Sequence, residues 1–488
     1  MKWNKLILGV LAAGSLLAMQ SCDKIKDFKD INNNPNATTE PNTAALLTNT
    51  LAGFGNHVWG NGITIVGGLY CQYFSETQYT EASRYSTPTT NWDGYYSGGM
   101  NDMQNIINYN GTSPGKAAAN GDNVNQIAIA RILKVYYYWL LTDTWGDIPY
   151  FDALKGNGTI KYDGQDKIYP DLFKELTEAV NQFVTPTTNI KGDILMNGDI
   201  SKWKKFANSM RMLMALQLSK KYPSASGYAA TEFNAAKNAS GGVIESNSEN
   251  ATLNFPGGVF NHPLYTYYNI TLRSDYAMSE TMATFLNSNN DRRNTVYGSS
   301  TLGFPYGLDR TAALAWQNNP ANSNWAKVLA PSVSTASSPV VLIGAANVYL
   351  ARAEAANLGW TSEDQATMYS LGIQRSWEQW GVYNAANFAT YLAQSSIDLG
   401  AGNVLQKINT QQWAAFYPNG TRGWSNWRRT NIPALTVAPN NGNKPIPRRY
   451  PYGPNEPQLN PANYTPAAAG YTISSIPNSQ DAKIWWDQ

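Results

Sequence analysis

The stretch Ala345-Ala-Asn-Val-Tyr-Leu-Ala-Arg-Ala-Glu-Ala-Ala-Asn-Leu-Gly-Trp-Thr-Ser-Glu-Asp-Gln-Ala-Thr-Met-Tyr-Ser-Leu-Gly-Ile-Gln-Arg-Ser-Trp-Glu-Gln-Trp-Gly381 decides the fold class. Residues 345–358 read as one helix closed by Gly359, a favoured neighbour of a helix C-cap. Thr361 and Ser362 open a second, and Ser362 with Gln365 predicts a capping box. That helix runs to about Trp380 and stops at Gly381. Two antiparallel helices within about 36 residues match one tetratricopeptide-type unit, although the strict signature of that repeat is absent.

Further helices lie upstream. Gln126–Leu141 is apolar on most faces (Ile127, Ile129, Ile132, Leu133, Val135, Tyr136, Trp139, Leu140), the pattern of a buried helix. It runs into Thr-Asp-Thr-Trp-Gly-Asp-Ile-Pro-Tyr, where Gly146 and Pro149 stop propagation. Tyr169–Phe183 carries Leu172, Phe173, Leu176, Ala179 and Val180 on one stripe. Ser201–Lys220 begins with a capping residue and repeats Trp203, Phe206, Met210 and Leu213 at helical spacing. Long irregular stretches separate the helices, at 56–100, 223–275, 287–340 and 431–480. They are rich in Pro, Gly, Asn and aromatic residues, and loops of this length are functional or pack as caps.

The chain begins with Lys2, Lys5 and the apolar run Leu6–Met19, followed by Ser21 and Cys22. A basic start, a short apolar run and a small residue make a secretory signal over residues 1–21. A Cys just after the cut marks a bacterial lipoprotein, with Cys22 the lipidated residue. The run is too short for the roughly 20 residues that span a bilayer, so the predicted attachment is a lipid anchor. Residues 22–45, polar and Asn-rich, read as the lipidated Cys and its tether. Residues 46–488 read as a single helical domain with irregular insertions.

Composition narrows the function. Lys and Arg number 36 against 34 Asp and Glu. Two of the lysines lie in the signal, so the mature chain is formally neutral and nucleic acid is not an expected partner. There are 30 Tyr and 16 Trp, rings that suit polar, flat-faced ligands. The two Cys, one of them Cys22, leave Cys71 without an intrachain partner. Two His, His57 and His262, argue against a His-rich zinc site and most Ser–His or Cys–His machinery.

Motifs for chemistry fare poorly. Gly111-Thr-Ser-Pro-Gly fits the Gly-x-Ser-x-Gly hydrolase pattern, but Pro114 has no N–H to offer an oxyanion. No Walker loop, dinucleotide fingerprint or 12-residue calcium loop is present. No metal ligand set and no cofactor are therefore predicted; a structural calcium held by loop carbonyls stays open. Asp143 and Asp147, four apart, could serve a glycosidase, yet helix-end acids more often bond backbone N–H groups or Arg. Arg428, Arg429, Arg448 and Arg449 read as buried guanidinium groups clasping carbonyls and carboxylates.

Several ordered motifs together resemble one family. They are Ile31-Asn-Asn-Asn-Pro-Asn-Ala-Thr-Thr, Leu140-Leu-Thr-Asp-Thr-Trp-Gly-Asp-Ile-Pro-Tyr, Tyr349-Leu-Ala-Arg-Ala-Glu-Ala-Ala with Gly359-Trp360, Gly423-Trp-Ser-Asn-Trp-Arg-Arg-Thr, and Ile446-Pro-Arg-Arg-Tyr-Pro-Tyr-Gly-Pro-Asn-Glu. The chain resembles the SusD/RagB family, closest to the branch described as nutrient-binding outer membrane lipoproteins. The resemblance implies a mostly α fold of about four tetratricopeptide-like helix pairs with a loop-rich irregular subdomain. It implies an outer membrane location in Bacteroidetes-type bacteria, facing the exterior. It also implies a SusC-type TonB-dependent barrel as partner, over which the protein acts as lid, capture of glycan or peptide oligomers, and no catalytic residues. Relatives often carry a run of acids after the Cys. Here Asp23 is followed by Lys24, Ile25 and Lys26, which leaves the membrane face open.

Ligand contacts are expected from loop aromatics, whose faces stack on sugar rings or peptide planes. Three clusters are candidates: Tyr79, Tyr85, Trp92, Tyr95 and Tyr96; Tyr265, Tyr267 and Tyr268; and Phe304, Tyr306, Trp316 and Trp325. The predicted ligand-binding residues are Tyr85, Trp92, Tyr96, Tyr265, Tyr306 and Trp316. In relatives, the resemblance implies, such rings come from an early region and a mid-chain loop region. The competing class is an anchored glycosidase or peptidase, disfavoured by the two His and the unconvincing acid pair.

Overall fold

The long helix at the centre of the molecule is the one the sequence makes apolar on nearly every face. In the computed structural model, which describes residues 40–60, 62–156 and 158–488, it spans Asn123–Trp145 and is buried along most of its length. The helices of eight or more residues, numbered along the chain, are α1 (Thr43–Gly53), α2 (Ile63–Tyr70), α3 (Asn101–Thr112), α4 (Asn123–Trp145), α5 (Gln165–Gln182), α6 (Ile200–Gln217), α7 (Tyr228–Lys237), α8 (Glu280–Ser288), α9 (Arg310–Gln317), α10 (Ala345–Asn357), α11 (Gln365–Gln379), α12 (Ala385–Leu392), α13 (Val404–Phe416), α14 (Gly420–Thr430) and α15 (Pro461–Ala469). Consecutive helices pack as pairs: α4 with α5, α6 with α7, α10 with α11, and α13 with α14. The mostly α fold of about four such pairs, with loop-rich insertions, is the architecture observed. Thr43–Gln488 forms one compact unit. The signal at 1–21, Cys22 and the tether up to residue 39 lie outside the described residues.

Some local expectations shift. The second helix of the 345–381 pair is capped by Asp364, whose carboxylate accepts from the Thr367 N–H at 2.7 Å. Ser362 and Gln365 form no capping box; an Asp one residue before the helix is the better-placed acceptor. Likewise α6 is capped by Asp199, accepting from Lys202 N–H at 3.1 Å, and not by Ser201. Helix α5 starts at Gln165 and runs through Pro170. Each of the four irregular stretches contains a helix: α2, α7, α9 and α15.

Helix α2 is instructive. Its sequence, Ile-Thr-Ile-Val-Gly-Gly-Leu-Tyr, has poor intrinsic helix propensity. It is held by packing against α14. A Cβ on Gly67 would stand 3.0 Å from the Gly420 carbonyl, and one on Gly420 would collide with the Thr64 carbonyl. The two backbones therefore approach as only glycine permits.

Strands are short and few. β1 (Phe74–Glu76) pairs antiparallel with β3 (Tyr276–Met278), and β2 (Ala251–Leu253) with β4 (Val340–Ile343). In the first ribbon Phe74 lies opposite Met278 and Glu76 opposite Tyr276. This pairing joins the early loop region to the mid-chain loops, across about 200 residues of chain.

Candidate ligand-binding site

A cleft of about 610 Å³ opens where the segment after α1 meets the loop Phe255–Tyr276. Its size lies within the range of small-ligand sites. The wall holds Trp59, Tyr267, Tyr276, Phe255 and Phe260. Trp59 packs edge-on to Phe74 at 4.9 Å and to Tyr267 and Tyr276, each at 6.1 Å. Phe255 and Phe260 lie 4.7 Å apart. Edge-to-face contacts of this kind hold the rings in fixed orientations.

A polar knot sits at one end. The Asp275 carboxylate accepts from the Tyr267 hydroxyl at 2.9 Å, Arg273 Nε at 2.6 Å and Gln78 Nε2 at 2.5 Å. Thr77 N–H donates to the Asp275 carbonyl at 2.9 Å, so the β1–β3 ribbon continues into the knot. Burial alone pushes the Asp275 carboxyl up, but the bonds from Gln78, Tyr267 and Arg273 outweigh it and hold its pKa below the ordinary value. Asp275 is thus a committed anion that fixes Arg273. Tyr79, half exposed and outside the lining, lies near two guanidinium groups, Arg310 at 5.7 Å and Arg273 at 6.0 Å. Asn56 is exposed in the cleft, and its side chain has no partner among the described residues. Asn261, Thr266 and Thr271 add further polar groups to the lining.

Glu76 closes β1 behind this region. Its carboxylate accepts from Ser83 N–H at 2.8 Å and Ser83 Oγ at 2.9 Å. Burial nevertheless raises its pKa to about 7. Both histidines are buried and pushed down by that burial, His57 to about 3 and His262 to about 4, so they are neutral at ordinary pH. Among the described residues no group of three or more His, Cys, Asp and Glu is placed to hold a metal ion. Asp143, fully buried, is taken up by Tyr169, Trp486, Arg422 and Ser425. Asp147 accepts from the Tyr471 hydroxyl at 3.0 Å.

The six residues singled out from the sequence do not converge. Tyr85 is fully buried at a left-handed φ of 65°, its hydroxyl accepting from Ala438 N–H, so its faces are closed to a ligand. Tyr306 is half-buried beside Tyr85 with its hydroxyl enclosed. Trp316, on α9, packs against Phe304 at 4.6 Å. Tyr265 is half-buried next to the cleft but outside its lining. Trp92 and Tyr96 line a different cavity. Sequence reasoning placed Tyr267 in a candidate cluster but missed Trp59, Asn56, Arg273 and Asp275. An aromatic, a basic and an acidic residue within Tyr267–Asp275 is the signal that points there.

A scaffold of paired helices whose loop region frames an aromatic, hydrogen-bonding cleft defines a ligand-binding class of α protein. The family model described as starch-binding and associating with the outer membrane, SusD-like, matches residues 35–453, and the chain belongs to that family. A chitin-binding protein of known structure is 29% identical, with 92% of this chain and 100% of that one covered and a TM-score of 0.76. A SusD homologue from Parabacteroides distasonis is 22% identical, covering 92% and 98%, with a TM-score of 0.78. A chitin-binding SusD homologue from Flavobacterium johnsoniae is 24% identical, covering 91% and 98%, at 0.74. No curated protein sequence matches the chain. The family is one of nutrient-binding, outer-membrane-associated proteins. Among the described residues no helix is long and apolar enough to cross a membrane.

Proposed function

We propose that this protein captures glycan oligomers in the Trp59–Tyr267 cleft and delivers them to a SusC-type TonB-dependent barrel, as a non-catalytic lid anchored through Cys22. The observation that carries the reading is the cleft itself: the half-buried rings of Tyr267, Tyr276 and Phe260, backed by the buried Trp59, beside a clamped Arg273 and an unpaired Asn56. Rings cover the apolar faces of sugars while the amide and guanidinium N–H groups bond their hydroxyls. The chitin-binding relative at 29% identity makes chitin oligosaccharides the first ligand to test. The loop bordering the cleft also exposes Val259, Ile270 and Leu272. An exposed aliphatic group of this kind suits a surface covered by a partner such as the barrel.

Calorimetry with chitin oligosaccharides, starch oligosaccharides and peptides tests the capture step. One glycan is expected to bind, and Tyr267→Ala and Asn56→Ala each to weaken it about tenfold, a loss of about 1.4 kcal/mol. Binding of peptides alone, or unchanged affinity in both variants, contradicts the reading. Hydrolysis of any bound oligomer would favour the rival, an anchored hydrolase. Cys22→Ser is expected to abolish labelling by palmitate and release the protein from the membrane fraction; a variant that stays membrane-bound and labelled rules out the Cys22 anchor.

A further inference from the structure

A second cavity, about 650 Å³ in volume, shares no lining residue with the first cleft. Its wall is built from the segment before α3, the loop after Pro149 and the turn Glu456–Leu459. The half-buried Tyr96 and Tyr162 supply aromatic surface, backed by the buried Trp92. Trp92 and Tyr162 meet edge-on at 5.3 Å, and Leu459 stands at the mouth, largely exposed.

Two acids line this cavity, Asp93 and Glu456, and none of the described lining residues is Lys, Arg or His. Glu456 is nine-tenths buried. Its Oε2 accepts from the Tyr162 hydroxyl, and its Oε1 has no partner among the described residues. The exposed Asp93 carboxylate takes a bond from Asn91 Nδ2 at 2.7 Å. Two polar neighbours are committed elsewhere: Lys161 pairs with Asp163 at 3.2 Å, and the Tyr96 hydroxyl donates to the Pro149 carbonyl. Burial, and then the negative charge of Asp93, push the Glu456 carboxyl up to about 7. Glu456 thus opens one oxygen onto an aromatic cavity, with no counter-ion among the described residues, an incomplete electrostatic arrangement.

We propose that this cavity binds an organic ammonium group, its N–H donors directed at Glu456 Oε1 and its carbon skeleton against Trp92, Tyr96 and Tyr162. A cation answers both acids, and aromatic faces attract it further. A neutral group of the same size leaves the carboxylates uncompensated, and an anion is repelled. Two sources present this chemistry, an amino sugar in a partly deacetylated glycan and the side chain of a lysine in a peptide. The inference rests on the second cavity alone and stands independently of what the first cleft takes.

The test is calorimetry on the whole protein at pH 7.5 with a glucosamine tetramer, an N-acetylglucosamine tetramer, N-acetyl-lysine amide and N-acetyl-norleucine amide. At least one amine probe is expected to bind, the lysine amide more tightly than the norleucine amide. Glu456→Gln, which keeps the shape and the bond from Tyr162, is expected to weaken that probe about tenfold. Asp93→Asn, an exposed change that leaves folding intact, is expected to weaken it several-fold. For N-acetyl-lysine amide, whose charge is constant here, affinity falls from pH 7.5 to 5.5 as Glu456 takes up its proton, and binding releases protons near pH 7. Binding by the glucosamine tetramer alone, or by the lysine amide alone, identifies the source. No binding of either amine, or amine binding indifferent to both acid substitutions, overturns the proposal.

Discussion

Replacing Trp486 by Ala is expected to cost about 5 kcal/mol and to lower the melting temperature by roughly 5 °C. Trp486 is fully buried, and its Nε1–H donates to Asp143 Oδ1 at 2.9 Å. Its ring also lies 4.9 Å from the guanidinium of Arg428, which stands 3.7 Å from the Trp424 ring. Arg428 bonds the Arg448 carbonyl and Ser425 Oγ but no carboxylate. The aromatic faces therefore carry much of its stabilisation. Removing the indole leaves a large void, takes one donor from a buried carboxylate and uncovers one face of a buried cation. Trp486→Phe, which refills most of the volume but not the N–H, is expected to lose about half as much. Trp485→Ala serves as the comparison, because that ring is only half-buried and its charged neighbour is Lys221 at 5.8 Å. Thermal denaturation of the three variants checks the order; equal melting temperatures for Trp486→Ala and Trp485→Ala would show that the buried junction contributes nothing special.

How far the fold could be read from the sequence follows from where each helix draws its stability. The helices α4, α5, α6, α10 and α11 carry their own apolar periodicity, and it is visible without a partner. Helix α2 has no such signal: β-branched residues and two glycines look like loop, and only the glycine-lined approach to α14 makes them helical. Helices α7 and α9, with 10 and 8 residues, are too short to stand out against flanking Gly, Asn and Pro. Caps are decided by one-residue differences in position, so Asp364 displaces Ser362 although both are good capping residues.

The site was less legible for a related reason. Composition reveals that rings are abundant but not which way they face. Tyr85 points inward and Tyr79, six residues earlier, faces solvent. The knot around Asp275 depends on Gln78, 197 residues away, and is assembled by strands of three residues each. Strands that short leave no alternating pattern to read. The arginine pairs were more transparent, because motifs crowding Arg with Trp and Gly have few ways to satisfy a guanidinium except by burying it against carbonyls, carboxylates and rings.

Glu354 is where that last inference is most exposed to experiment. It lies on α10 and receives Arg429 of α14 through both oxygens, at 2.5 and 2.8 Å, and Gln412 of α13 at 2.7 Å. Both charged side chains are about 3% exposed. Arg429 also bonds Ser219, Asn409 and Asn426. Glu354→Ala leaves a guanidinium buried among neutral groups, and the expected loss is about 3–5 kcal/mol. Arg429→Ala strands the carboxylate with only Gln412 and should cost a similar amount. The double variant removes both charges together, so it should cost clearly less than the sum of the singles, with a coupling of about 2 kcal/mol. It cannot be neutral, since Gln412, Asn409 and Asn426 lose partners in the interior. Because water and ions do not reach the pair, the coupling should be nearly the same at low and high salt. Strict additivity, or a coupling abolished by salt, would mean that the three helices are joined by packing alone and that the charges are incidental to it.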